Sequence, residues 1–248
     1  RRKQGYSQHK AFLPATRPVR RPICRGGRSP LPPPPSLTTV SVAPPDHTAR
    51  PRFGLTEPKL VLHFFSGRRR PGDIQHWLEL LATHSGLWVL SIDVILSSTH
   101  GDLTCPVTIA RWLSTMESGR IIAVIAGPPC ETWSVARHHP VAHRTGHHRP
   151  RPLRTALEPW GITGIRLSEQ VQVGTANALL QTPSLFLAAA LRLGVSMVLE
   201  HPSAPRGRED AASIWRLPEV ARLAGHPAAS TVHLHQCSCG ARSPKPTT

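Results

Sequence analysis

The sequence contains no apolar run of the roughly 18 residues that a bilayer-spanning helix requires. Its basic start, Arg1-Arg2-Lys3, leads into polar residues and not into the apolar core of a signal peptide. A disulfide framework is also missing: five cysteines stand at 24, 105, 130, 237 and 239, an odd number without paired spacing. A reducing compartment suits such thiols, so the expected location is nuclear or otherwise intracellular. No internal repeat is legible. No initiating Met is present, which reads as a fragment or a processed piece. Acids are scarce, 14 against 30 Lys and Arg, giving a formal charge of +16 over 248 residues. That balance bears on partners and not on fold. It points to a polyanion, nucleic acid by default. A basic tail that adheres to nucleic acid whatever its domain does would account for the charge equally well.

What is present falls into two parts. Residues 1–57 are rich in Pro and Arg, with the run Pro30-Leu31-Pro32-Pro33-Pro34-Pro35, and show little periodicity. Such a segment buries too little apolar surface to offset its ordering entropy, so a disordered basic arm is expected. From Lys59 onward, apolar runs alternate with helical periodicity. Strands are expected at 59–65, 87–93, 121–126, 195–199 and 230–236. Helices are expected at 73–84, 107–116, 176–193 and, broken near Pro218, at 210–223. Ile74, Trp77, Leu78 and Leu81 mark one face of the first helix. Residues 137–166, crowded with His, Arg and Pro, read as a mobile basic insertion within a domain spanning 58–242. The fold class is α/β, a mostly parallel open sheet with flanking helices. Ligands of such sheets lie beyond the carboxyl ends of the strands. Gly67, Asp93, Asp102, Cys130 and Glu200 all fall there.

Gly127-Pro128-Pro129-Cys130-Glu131-Thr132-Trp133-Ser134 follows the third strand directly. Two prolines fix φ and present the thiol in one place. A cysteine needs its thiolate form to attack, and basic neighbours such as Arg137 favour that form. The competing reading is a small buried Cys after a strand. Glu200, ending the fourth strand, reads either as a working carboxyl group or as a strand-end carboxylate that caps a helix or pairs with Arg206 or Arg208. Asp93 and Asp102 read either as ligand-binding acids or as caps of the next helix.

The segment Gly127-Pro128-Pro129-Cys130-x3-Ser134 resembles the catalytic motif of the DNA (cytosine-5) methyltransferase family. Further motifs occur in the family's order: Phe65-Ser66-Gly67 resembles Phe-x-Gly, Asp93 follows the second strand, Gly101-Asp102-Leu103-Thr104 resembles Gly-Asp-Ile/Leu, and Glu200-His201-Pro202 stands where the family has Glu-Asn-Val. The resemblance covers about 58–202 and implies a Rossmann-like methyltransferase fold. It implies S-adenosylmethionine as cofactor, bound by Phe65, Gly67, Asp93, Asp102 and Pro128. Cys130 and Glu200 become the catalytic pair, and Ser134, Arg137, Arg149 and Arg242 meet nucleic acid. DNA is the implied substrate, ahead of RNA, with no membrane partner. Two departures stand out. Arg68-Arg69-Arg70 follows Gly67, and of the family's Gln-x-Arg-x-Arg motif only Gln236 and Arg242 are recognisable. Two readings follow: an active cytosine-5 methyltransferase, or a catalytically degenerate relative from a mobile element that binds nucleic acid.

Overall fold

The computed structural model describes residues 58–82, 86–138, 151–239 and 245–248, all within the unit Val42–Thr248. The expected arm at 1–57 lies outside the described residues, as do 139–150 of the expected insertion, Arg149 and Arg242.

Three six-residue apolar runs form strands β1 (Lys59–Phe64), β2 (Leu87–Ile92) and β3 (Ile121–Ala126), joined by the shorter β4 (Ser196–Leu199). They make one all-parallel sheet in the order β2-β1-β3-β4. The chain therefore leaves β1 to one side for β2 and returns to its other side for β3. Such a reversal of strand order opens a crevice at the carboxyl ends of the two inner strands. β1 and β3 flank that crevice here.

One face of the sheet carries the main core. Leu60, Leu62, Phe64, Ile92, Val124 and Ala126 pack against Met116 of helix α2 (Pro106–Glu117) and against Phe186 and Ala189 of α3 (Leu167–Leu193). Phe186 meets Phe64 edge-on with ring centroids 4.8 Å apart. α2 begins with Pro106 at its first turn, where a missing N–H costs nothing. α3 begins earlier than expected, at Leu167, where the Arg166 N–H donates to the Glu169 carboxylate at 2.8 Å. It also runs through Pro183 and ends at Gly194 with φ +67°. Burial of Val173, Ala176, Leu180, Pro183 and Phe186 along one side outweighs the weak helical propensity of its first turns.

Three further expectations are corrected. The apolar face of α1 (Ile74–Leu81) is not buried: Trp77 is 54% and Leu81 81% exposed. The helix is instead held at its N-terminal end and along one edge. Asp73 caps it by accepting from the His76 N–H at 2.8 Å, and Gln75 accepts from the Ser91 N–H of the edge strand β2. Second, the expected strand at 230–236 shrinks to β5 (Leu234–His235), which pairs antiparallel with β6 (Pro246–Thr247) and not with the main sheet. Third, the described part of the insertion is packed structure. Leu153 and Arg154 are buried, and Leu153, Ile165 and Val173 form a small core of their own. The helix expected at 210–223 divides into a 3₁₀ turn at Ile214–Arg216 and α4 (Pro218–Ala224), because Pro218 cannot continue the preceding turn. No helix among the described residues is long and apolar enough to cross a membrane.

Candidate active site

β3 and β4 are hydrogen-bonded neighbours, so the residues after them leave the sheet side by side. The Glu200 N–H donates to the Ala126 carbonyl at 2.8 Å, extending the pairing to the foot of the cysteine loop. A Cβ added at Gly127 would lie 3.3 Å from Glu200 Oε2. The carboxylate thus lies against Gly127, and the missing side chain leaves it room. Pro128 is buried, Pro129 exposed and Cys130, a free thiol, half-buried. A turn follows at once, closed by the Trp133 N–H donating to the Cys130 carbonyl at 3.0 Å.

Glu200 is held from its other side by the C-terminal hairpin. Gln236 Nε2 donates to Glu200 Oε1 at 3.2 Å, and Lys245 Nζ lies 3.7 Å from the same oxygen. The hairpin is fastened by a two-way backbone pair between His201 and Thr248, each N–H donating at 3.0 Å to the other's carbonyl. The sequence singles out Gln236, but not Lys245. Nothing local marks that lysine; only the pairing of β5 with β6 brings it to the carboxylate.

His201 is buried between this hairpin and Trp133, and neither ring nitrogen makes a well-formed hydrogen bond among the described residues. Desolvation, assisted by the Lys245 charge, pushes its pKa down to about 3, so the ring is neutral.

The loops after β1 and β2 form a second cluster. Phe65 adopts φ +59°, a left-handed conformation rare for an aromatic residue, and Gly67 follows at +69°. This turn aims the Gly67 N–H at Asp93 Oδ2, 2.9 Å away, while Asp93 Oδ1 accepts from the Ile95 N–H. Gly101 packs against the Asp93 backbone so closely that an added Cβ would lie 2.0 Å from its carbonyl oxygen. Asp102 Oδ1 accepts from both the N–H and the hydroxyl of Thr104, leaving Oδ2 without a hydrogen bond among the described residues. The structure therefore brings Phe65, Gly67, Asp93, Gly101 and Asp102 together at the ends of β1 and β2. Of the arginine run, Arg69 is engaged with Asp73 at 2.7 Å, and Arg68 and Arg70 are exposed.

Of the residues expected to meet nucleic acid, Ser134 and Arg137 are half-buried beside the cysteine loop. Ser134 Oγ accepts from the Ala136 N–H at 3.3 Å. Arg137 donates to the carbonyls of Glu131 at 2.8 Å and Arg151 at 3.1 Å and reaches Gln172 of α3 at 3.5 Å. Its guanidinium braces the cysteine loop.

Comparison of the chain with protein-family models, with curated proteins and with solved structures found no match.

Proposed function

We propose that this chain is an S-adenosylmethionine-dependent methyltransferase that modifies C5 of cytosine in DNA through a covalent bond to Cys130. The observation that carries the reading is the Glu200 carboxylate lying against Gly127, at the foot of the Cys130 loop, on neighbouring parallel strands. A thiol and a carboxylate from adjoining strand ends meet the two demands of the reaction. C5 of cytosine is a weak nucleophile. Addition of the Cys130 sulfur to C6 makes C5 enamine-like, and a carboxyl group at N3 stabilises the charge that the addition creates. Once C5 has taken the methyl group, with S-adenosylhomocysteine as the leaving group, loss of the C5 proton to a base and expulsion of the sulfur restore the ring. A base within a duplex must first leave its stack.

The residues at the ends of β1 and β2 fit the cofactor. Among the described residues each Asp93 side-chain oxygen accepts one hydrogen bond, which leaves a lone pair for a ribose hydroxyl, and Asp102 Oδ2 accepts none, which suits it to an adenine amino group. S-adenosylmethionine, when bound, supplies the methyl group as an electrophile. In this reading the sheet is the Rossmann-like core of a methyltransferase. The free thiols Cys130 and Cys237 suit a reducing compartment, the nucleus for a DNA substrate.

The test is DNA carrying 5-fluorocytosine, incubated with protein and S-adenosylmethionine. A covalent adduct is expected, and Cys130→Ala should abolish it. DNA binding without adduct on every DNA tried would support the second reading, a catalytically inactive nucleic-acid-binding protein. The exposed Arg68 and Arg70 beside the cofactor loop favour that alternative.

A further inference from the structure

Arg154 is the largest fully buried side chain among the described residues, 1% exposed, and no carboxylate among those residues pairs with it. Burying a cation without a counter-ion is costly, and an apolar side chain of similar volume would fill the space without that cost. What the guanidinium supplies instead is a fork of donors. Nε donates to Thr132 Oγ1 at 3.0 Å. One terminal nitrogen donates to the Pro159 carbonyl and to Asn177 Oδ1, each at 2.7 Å, and the other to the Val173 carbonyl at 3.3 Å. The plane lies over the Trp133 ring, 3.9 Å from its centroid. Every acceptor is neutral. Burial and the nearby Arg137 lower the Arg154 pKa to about 9, so it still carries its charge at neutral pH.

The groups so joined are not scattered. Thr132 and Trp133 belong to the turn that starts at Cys130; Val173 and Asn177 lie on α3, the longest helix. Glu131, the remaining residue of that turn, is tied to the same helix through Arg137 and Gln172. On the other side of the thiol stand two prolines. Cys130 is therefore fixed from both directions, and Arg154 anchors two of the three residues that follow it.

We propose that Arg154 is a positioning residue for the Cys130 nucleophile, locking the turn after it onto α3 through Thr132 and Trp133. The proposal rests on the reading of Cys130 as the attacking group. A displacement of about 1 Å in a reacting atom suffices to cost on the order of a hundredfold in rate. A guanidinium fork fixes geometry that a lysine ammonium, a point charge on a flexible stem, does not.

The test uses the full chain with Cys24, Cys105, Cys237 and Cys239 replaced by Ser, and a trifluoromethyl probe on Cys130 read by ¹⁹F resonance. The parent should give one sharp signal. Arg154→Lys should give a broadened or split one, and so should Thr132→Val, which removes one acceptor and leaves the arginine in place. Thr132→Ser should restore the sharp signal. Without the probe, Arg154→Lys should slow adduct formation on 5-fluorocytosine DNA at least about tenfold, with DNA affinity within about twofold. Met116→Ala, destabilising the core far from this turn, should leave the signal sharp. If Arg154→Lys and Thr132→Val lower the melting temperature yet keep one sharp resonance, Arg154 merely supports the fold and the proposal is overturned. If the parent forms no adduct but both variants broaden the resonance, the positioning role stands and the methylation reading falls.

Discussion

At the scale of single residues, His201 and Gly101 give the sharpest tests. His201 titrates near 6.5 when unfolded and near 3 in the folded chain. Above pH 6.5 it is neutral in both states, and its contribution to stability is complete. As the pH falls from 6.5 toward 3, the unfolded chain gains a proton that the folded chain refuses, and stability is lost. The depressed carboxyl groups Glu169 and Asp210, each lowered to about 2, lose their contributions only below their ordinary values of 4.5 and 3.8. His63, its pKa lowered chiefly by burial, acts in the same direction, so urea unfolding between pH 6.5 and 4.5 should show falling stability and His201→Leu should reduce that slope. An unchanged slope would mean that the ring is hydrated. At Gly101, a methyl group would collide with the Asp93 carbonyl. Gly101→Ala should cost about 2 kcal/mol or more and weaken S-adenosylmethionine binding, measured by calorimetry. Neither effect is visible in the sequence. Gly-Asp-Leu-Thr names the acid, while the close approach of two backbones makes the glycine obligatory.

At the scale of elements, α1 shows where periodicity misleads. Its apolar residues do recur at helical spacing, which marks the helix. Spacing alone does not say what lies opposite, and the helix bonds to the sheet edge through Gln75 instead of burying Trp77 and Leu81. Leu81→Glu should therefore change stability by no more than about 0.5 kcal/mol in urea. A loss above about 2 kcal/mol would show that this face is covered in solution. The C-terminal strand is the opposite case. Its short, Pro-containing sequence carries no strand signal, yet β6 brings Lys245 to Glu200 and shields His201. Deleting residues 245–248 removes both backbone bonds of the His201–Thr248 pair and should lower stability by about 1–3 kcal/mol. It should also slow adduct formation; an unaltered rate would separate the hairpin from the chemistry. The sequence signals α3 only from 176, because Leu167 to Thr175 hold several poor helix formers. Tertiary packing of Val173 and the Arg154 and Arg137 cross-links decide its first turns.

At the scale of the molecule, charge is the dominant property. Residues 1–57 hold eleven of the 30 Lys and Arg, and within the folded part several arginines are consumed by internal bonds. Arg137, Arg151 and Arg154 tie the cysteine turn and the 151–154 segment to α3, so basic composition overstates the cationic surface of the domain. DNA affinity should fall linearly on a log–log plot against salt. Removal of residues 1–57 should reduce that slope by about 0.9 for each phosphate that the arm neutralises. An identical slope would place the phosphate-binding groups on the domain.

The sequence by itself determined the four strands of the main sheet, since apolar runs of β-branched and large residues have few other uses in a chain this polar. It also determined that Gly67, Asp93, Asp102, Cys130 and Glu200 would stand at strand ends. Tertiary structure alone decided which ends adjoin. The order β2-β1-β3-β4 sets Glu200 beside the cysteine loop and Asp93 beside Gly67, a matter of pairing between segments far apart in the chain. It decided equally that Arg154 points inward. A cation is buried only where enough acceptors converge on it, and that convergence is a property of the assembled loops and helix, not of any stretch of residues.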